Sequence, residues 1–297
     1  MRRLREARIE APLWLLRVPP LSQVDEVVAS VDVSLNSELA VLAGLSEAAR
    51  RRGRVHDVLV MVDLGDLREG IWPDDLVPFV RELRGLTGVQ LVGLGANLTC
   101  YGGVIPTAHN MRRLVRCVEE VEAELGRSLA VVSGGNSSAL PLLAAGDMPA
   151  RIDHLRVGEA ILLGRETVHH RAWPGTHQDA FRLYAEVIER KEKPSVPLGE
   201  RSEDAFGRRP DFAERGERER ALVNVGREDV DPHGLTPCDP GLRVLGASSD
   251  YLILDVSDAP TEVAVGDVIP FALGYGSLLA AMDSQYVEKR LLGDAQK

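Results

Sequence analysis

Four short segments of this 297-residue chain hold side chains that could do chemistry, and each directly follows an apolar run. Asp63-Leu64-Gly65-Asp66-Leu67-Arg68-Glu69-Gly70 places an arginine among carboxylates. The planar fork of Arg68 suits a carboxylate or phenolic oxygen, although a solvated strand-to-helix turn accounts for the same residues. Ala96-Asn97-Leu98-Thr99-Cys100-Tyr101-Gly102-Gly103 offers Asn97 and Tyr101 to a ligand, or is a glycine-rich turn around a cysteine. Ser133-Gly134-Gly135-Asn136-Ser137-Ser138 is the strongest local signal. Hydroxyls and unspent N–H groups at a helix start make a phosphate cradle, with a plain helix cap as the competing reading. In Arg156-Val157-Gly158-Glu159, the arginine can hold a ring or a phosphate, or can pair with Glu159 or Asp153. His169, His170 and His177 share a loop, but their spacing fits no zinc signature and no metal site is expected.

The elements that must position these segments follow from the apolar pattern. Short runs at Leu13–Val18, Val31–Leu35, Val58–Leu64, Val89–Gly95, Leu129–Ser133 and His154–Val157 alternate with helical spacing, clearest over Met111–Leu125. There Leu114, Val115, Val118, Val121 and Leu125 share one face, and a run of glutamates marks the solvated side. Strand–helix alternation predicts a parallel sheet with crossovers, whose ligands gather at the carboxyl ends of the strands. Near residue 178 the pattern changes. Phe181, Leu183, Ala185 and Val187 alternate with polar residues, as in a half-buried strand. Lys191–Arg220 reads as a long polar loop, and Ala221–Val225, Arg243–Leu245, Tyr251–Val256 and Val268–Ala272 as short antiparallel strands. The expectation is an α/β unit over residues 1–177 and an all-β unit over 178–297.

Composition narrows the partners. A net charge of −10 without a basic patch argues against nucleic acid and anionic membranes. No apolar run approaches the roughly 20 residues of a membrane span, and the amino terminus lacks the apolar region of a secretory signal. Three dispersed cysteines fit a reducing cytoplasm. The chain has only four lysines, Lys191, Lys193, Lys289 and Lys297.

As a set, DLGDLREG (63–70), NLTCYG (97–102), SGGNSS (133–138), LRVGE (155–159), LLGRE (162–166), GASSD (246–250) and GYGSL (274–278) resemble the alanine/ornithine racemase family, fold-type III pyridoxal-phosphate enzymes, and most closely its ornithine racemase branch. The resemblance runs essentially the whole length. It implies an incomplete TIM-type (β/α)8 barrel, about six of eight strands, followed by a C-terminal all-β domain. It implies pyridoxal 5'-phosphate as cofactor, with Arg156 on the pyridine nitrogen, and Ser137 with the backbone of Gly158 and Glu159 on the phosphate. Tyr286 matches a C-terminal tyrosine that reaches that phosphate, Asn97 stands where many relatives have a histidine against the ring, and Arg68 lies beside the phenolic oxygen and the substrate carboxylate. Ser249 and Asp250 match a loop that lines the partner's active site in a homodimer. The implied reaction is racemisation of a basic amino acid such as ornithine, with alanine the alternative, by Cα proton abstraction from an external aldimine. Asp66, Glu69 and Asp250 are candidate partners for a distal ammonium.

Two departures qualify the resemblance. The family's Schiff-base lysine, at the end of the first barrel strand, has no counterpart here, so the expectation is a chain lacking its N-terminal part through a late start codon, and inactive as it stands. Arg227 occupies the segment where alanine racemases place a tyrosine base, which leaves the second base unassigned. A non-catalytic cofactor-binding protein and a different barrel enzyme acting on a phosphorylated small molecule are the other readings.

Overall fold

The computed structural model describes residues 2–293. The chain divides into two compact units, one ending at Pro174 and the other beginning at Gly175.

After a short helix α1 (Arg2–Glu6), the first unit runs β1 (Trp14–Leu15), α2 (Val24–Ser30), β2 (Val33–Asn36), α3 (Leu39–Arg51), β3 (His56–Val62), α4 (Leu76–Leu83), β4 (Val89–Ala96), α5 (Ala108–Leu125), β5 (Val131–Ser133), α6 (Leu140–Ala144) and α7 (Glu159–Leu163). The five strands form a sheet in the order β1-β2-β3-β4-β5, every pair parallel. Its strands read as continuous apolar runs because both faces are covered. Val58, Val60 and Val62 of β3 pack with Leu42 and Leu45 of α3, Val80 of α4 and Leu114 and Val118 of α5. The alternate residues Leu59 and Met61 turn to the opposite face, where they meet Val33 and Leu35 with Trp14, Val92 and Val131 against them. The helix α5 begins earlier than the apolar spacing predicts, at a capping box between Thr107 and Asn110, and stops at Gly126 with φ 67°.

The expected sixth strand is reduced to a single parallel bridge between Ser133 and His154. Regular pairing ends there: the next donor, the Arg156 N–H, goes to the Gly135 carbonyl, one residue beyond the carbonyl that an unbroken parallel register would use. The sheet is nevertheless curled. With strands about 4.8 Å apart, a flat sheet would separate Trp14 from His154 by about 24 Å, whereas their rings stack with centroids 4.7 Å apart. Gly93 and Gly95 keep the interior face of β4 low. A Cβ at Gly93 would lie 2.3 Å from the Val131 carbonyl oxygen, and one at Gly95 2.8 Å from Leu59 Cδ2.

The second unit is a six-stranded antiparallel sheet, β6 (Leu183–Pro194), β7 (Glu217–Val223), β8 (Leu235–Pro237), β9 (Arg243–Ala247), β10 (Leu252–Asp255) and β11 (Val268–Leu273), ordered β8-β11-β6-β7-β10-β9 and followed by α8 (Tyr275–Asp283). The edges β8 and β9 approach each other, so the sheet nearly closes into a barrel. Leu183, Ala185 and Val187 point inward as their alternation predicts, with Phe271, Val223 and Leu254.

The segment expected to be a loop from Lys191 to Arg220 is corrected at both ends. Lys191, Glu192, Lys193 and Pro194 pair with Arg220, Glu219, Arg218 and Glu217. This end of the ribbon is held by charge rather than by apolar alternation. Arg190 pairs with Glu219 and Glu262, and Arg218 lies 3.0 Å from Asp255 and 2.5 Å from Asp258. Among the described residues no helix is long and apolar enough to cross a membrane.

Candidate functional site

The carboxyl ends of β3, β4 and β5 and the turn into α7 carry the four polar segments. After β3, the Asp63 carboxylate accepts from the N–H groups of Gly65 (2.8 Å) and Leu67 (3.2 Å), folding the loop over its own strand end. Gly70, with φ 147°, brings the chain back so closely that a Cβ there would lie 2.4 Å from the Asp63 nitrogen. Arg68 leaves this loop and pairs with Glu69 at 2.6 Å.

Asp66 has a different role from the ammonium partner considered above. The residue is 1% exposed. It accepts from the N–H groups of Cys100 (3.2 Å), Tyr101 (3.0 Å) and Val104 (3.1 Å). It therefore pins the loop after β4 to the loop after β3, with both oxygens spent on backbone donors.

Arg156 is the centre of the polar cluster. Its Nη1 donates to Ser133 Oγ at 2.5 Å, and its Nη2 to the Ala96 carbonyl at 2.8 Å and to Asn97 Oδ1 at 3.3 Å. It pairs with neither Glu159 nor Asp153; the latter is bound by Arg151 at 3.2 Å. The Nε–H of Arg156 donates to no group among the described residues. Burial pushes its pKa down to about 10, with Glu69 opposing that shift and Arg68 adding to it, so it stays cationic at neutral pH. Asn97 Oδ1 also accepts from Asn136 Nδ2 at 3.0 Å, which ties the β4 and β5 ends together.

In the turn after β5, the helix cap and the serine nominated for a cradle are different residues. Asn136 Oδ1 caps the turn by accepting from the Ser138 N–H at 2.7 Å. Ser137 reaches the start of α7, where its Oγ accepts from the N–H groups of Gly158 (3.3 Å) and Ala160 (3.1 Å). The hydrogen of that hydroxyl has no acceptor among the described residues, nor has the Glu159 N–H. Nothing lies within 4 Å of the Cβ position at Gly158, so the space in front of this turn is open. Burial raises the pKa of the Glu159 carboxyl, against a lowering by His170 3.8 Å away.

The other predicted residues lie in the second unit. Ser249 is at the tip of the β9–β10 turn, its carbonyl accepting from the Glu228 N–H at 3.1 Å, and Asp250 beside it is exposed. Gly226 permits this contact, since a Cβ there would stand 2.0 Å from the Ser249 oxygen. Arg227 stacks over Phe206 at 4.8 Å and donates to the Ala247 carbonyl. Tyr286 is 69% exposed. Residues 1–174 contain no lysine. Lys191 and Lys193 belong to β6, Lys289 donates to the Ser284 carbonyl, and Lys297 lies outside the described residues. Among the described residues no three His, Cys, Asp or Glu side chains converge as a metal site would require.

His154 and Trp14 had no role in the sequence reading, and Ser133, read there as part of a phosphate cradle, instead faces Arg156 and His154. His154 Nδ1 lies 2.8 Å from Ser133 Oγ, and burial followed by the Arg156 charge lowers its pKa, with Asp153 opposing. The available signal was the spacing of His154 and Arg156, two apart and hence on one face of an extended segment.

A curled parallel α/β sheet with a polar rim at its strand ends, joined in one chain to an antiparallel near-barrel, defines an alanine-racemase-like fold. The family model for the alanine racemase N-terminal domain matches residues 1–166, and the chain belongs to that family. It is 47% identical to an ornithine racemase of Acetoanaerobium sticklandii over 94% of this chain and 79% of that protein. It is 44% identical to a lysine racemase of Thermotoga maritima over 97% of this chain and 80% of that protein. Among solved structures, the alanine racemase of Bartonella henselae with covalently bound pyridoxal phosphate superposes with a TM-score of 0.60 at 18% identity, covering 90% of this chain and 72% of that one.

Proposed function

We propose that this chain is a racemase of a basic amino acid, ornithine or lysine, and that it uses pyridoxal 5'-phosphate. The observation that carries the reading is the pairing of two groups that, among the described residues, keep a donor unspent: the half-buried cation Arg156, at its Nε–H, and Ser137, at its hydroxyl hydrogen. Similarity to ornithine and lysine racemases over nearly the whole chain supports the substrate class.

The donor set suits the cofactor. The Ser137 hydroxyl and the Glu159 N–H are donors that a phosphate can accept from, beside the open space at Gly158. Arg156 can only donate, so a ring nitrogen at its Nε would be held as an unprotonated acceptor. Arg68 would orient a substrate carboxylate, exchanging its partner Glu69 for the ligand. Asn97 holds Arg156 and lines the same strand ends. Pyridoxal phosphate supplies the electron sink that makes an amino acid's Cα proton removable. These strand-end residues bind and orient, and none of them is assigned as the base. Ser249, Asp250 and Tyr286 enter through the family resemblance alone, as a loop lining a partner subunit's site and as a phosphate ligand in a homodimer.

The test is a titration of the protein with pyridoxal 5'-phosphate and with pyridoxal, followed by absorbance, beside a chiral assay of L- and D-ornithine and lysine. Ser137→Ala should weaken the phosphorylated ligand about tenfold, as expected for a hydrogen bond to a charged group, and leave pyridoxal unchanged. Equal affinity of the unaltered protein for the two ligands would refute the cradle.

A further inference from the structure

The hydrogen-bond chain behind Arg156 has an unused end. Ser133 Oγ receives Arg156 Nη1 at 2.5 Å and lies 2.8 Å from His154 Nδ1. A guanidinium has donors only, so toward Arg156 the hydroxyl oxygen must accept. The single hydrogen of Ser133 is then available to the Nδ1 lone pair, which requires a neutral imidazole carrying its own hydrogen on Nε2. The Trp14 ring, 4.7 Å away and inclined by 18°, fixes the imidazole plane from the far edge of the sheet. The charged groups that bear on this imidazole are Arg156, which disfavours a second cation, and Asp153, which is already bound by Arg151.

We propose that His154 is a positioning residue that, through the Ser133 hydroxyl, fixes the Arg156 guanidinium so that its Nε is left to donate to a ligand. With its hydrogen committed to His154, Ser133 cannot turn that hydrogen toward Arg156 and remains an acceptor. This inference rests on the reading of Arg156 as a cofactor ligand, but the relay itself exists without cofactor and is measurable there.

Two substitutions separate the relay from packing. His154→Phe keeps a ring against Trp14 and deletes Nδ1. His154→Asn keeps an acceptor near the Nδ1 position and gives up the stack. The relay predicts that His154→Phe weakens pyridoxal 5'-phosphate binding about tenfold, the low end for a hydrogen bond to a charged group, while His154→Asn stays within about twofold of the unaltered protein. The reverse order, Phe tolerated and Asn weakened, makes His154 a packing residue and overturns the proposal. In the cofactor-free protein, nitrogen-15 NMR of the imidazole should show Nδ1 unprotonated and Nε2 protonated at neutral pH, with the Nδ1 resonance shifting in Ser133→Ala. An Nδ1–H tautomer, an imidazolium, or a resonance indifferent to Ser133→Ala also overturns it. If the unaltered chain binds no pyridoxal phosphate, the cofactor reading fails, and the NMR result still decides the relay.

Discussion

Acidification should weaken the first unit through one side chain, His56. It lies at the start of β3 with no exposed surface, its Nε2 2.9 Å from Ser34 Oγ, and its buried Nδ1 has no partner among the described residues. Burial, reinforced by Arg54 and only partly offset by Asp32, pushes its pKa from 6.5 down to about 4. The folded chain therefore refuses a proton that the unfolded chain accepts below pH 6.5. In that interval the unfolded state binds more protons, so stability rises with pH and is lost as pH falls. At 1.36 kcal/mol per pH unit, with the folded imidazole half protonated near pH 4, the loss from pH 7 to pH 4 is about 3 kcal/mol. This is a large share of a typical net stability of roughly 5–15 kcal/mol. His56→Gln supplies a polar atom near Nε2 but does not titrate. Urea unfolding of both proteins across this range should show the variant losing about 3 kcal/mol less than the parent. Parallel pH profiles would refute the assignment, because the carboxylates common to both proteins contribute equally to the two curves.

Three further perturbations test other parts of the structure. Asp66→Ala removes the acceptor of three backbone N–H groups and should cost about 2–4 kcal/mol in chemical denaturation; a loss below about 0.5 kcal/mol would mean that water replaces the carboxylate. Gly93→Ala drives a Cβ to 2.3 Å from the Val131 carbonyl and should cost about 3 kcal/mol or prevent folding, as read by circular dichroism and thermal melting. Arg68→Ala should weaken binding of ornithine or lysine, read by calorimetric titration, with little change in melting temperature, since the side chain is part-exposed and among the described residues pairs only with Glu69.

The sequence by itself determined the elements whose local pattern and burial agree. The apolar runs of β2 to β5 stand out because a two-sided parallel sheet needs apolar residues at every position. The amphipathic spacing of α5 and the change from strand–helix alternation to antiparallel strands were legible for the same reason, and Arg156, Ser137, Gly158 and Arg68 could be nominated as candidates because each sits at a strand end or helix start that periodicity locates. Only the far end of the β6–β7 ribbon, where Lys191–Pro194 pairs with Glu217–Arg220, was not legible, because it carries charge pairs such as Arg218 with Asp255, and charged residues without apolar alternation read as loop. Asp66 looked like a free carboxylate until the loop after β4 was seen to donate three N–H groups to it. What only the tertiary structure decided is the arrangement around Arg156. Trp14 and His154 come from opposite ends of the first unit, and they meet because right-handed crossovers and strand twist curl the sheet until its edges approach. No local pattern encodes that contact; it follows from the curl of the sheet.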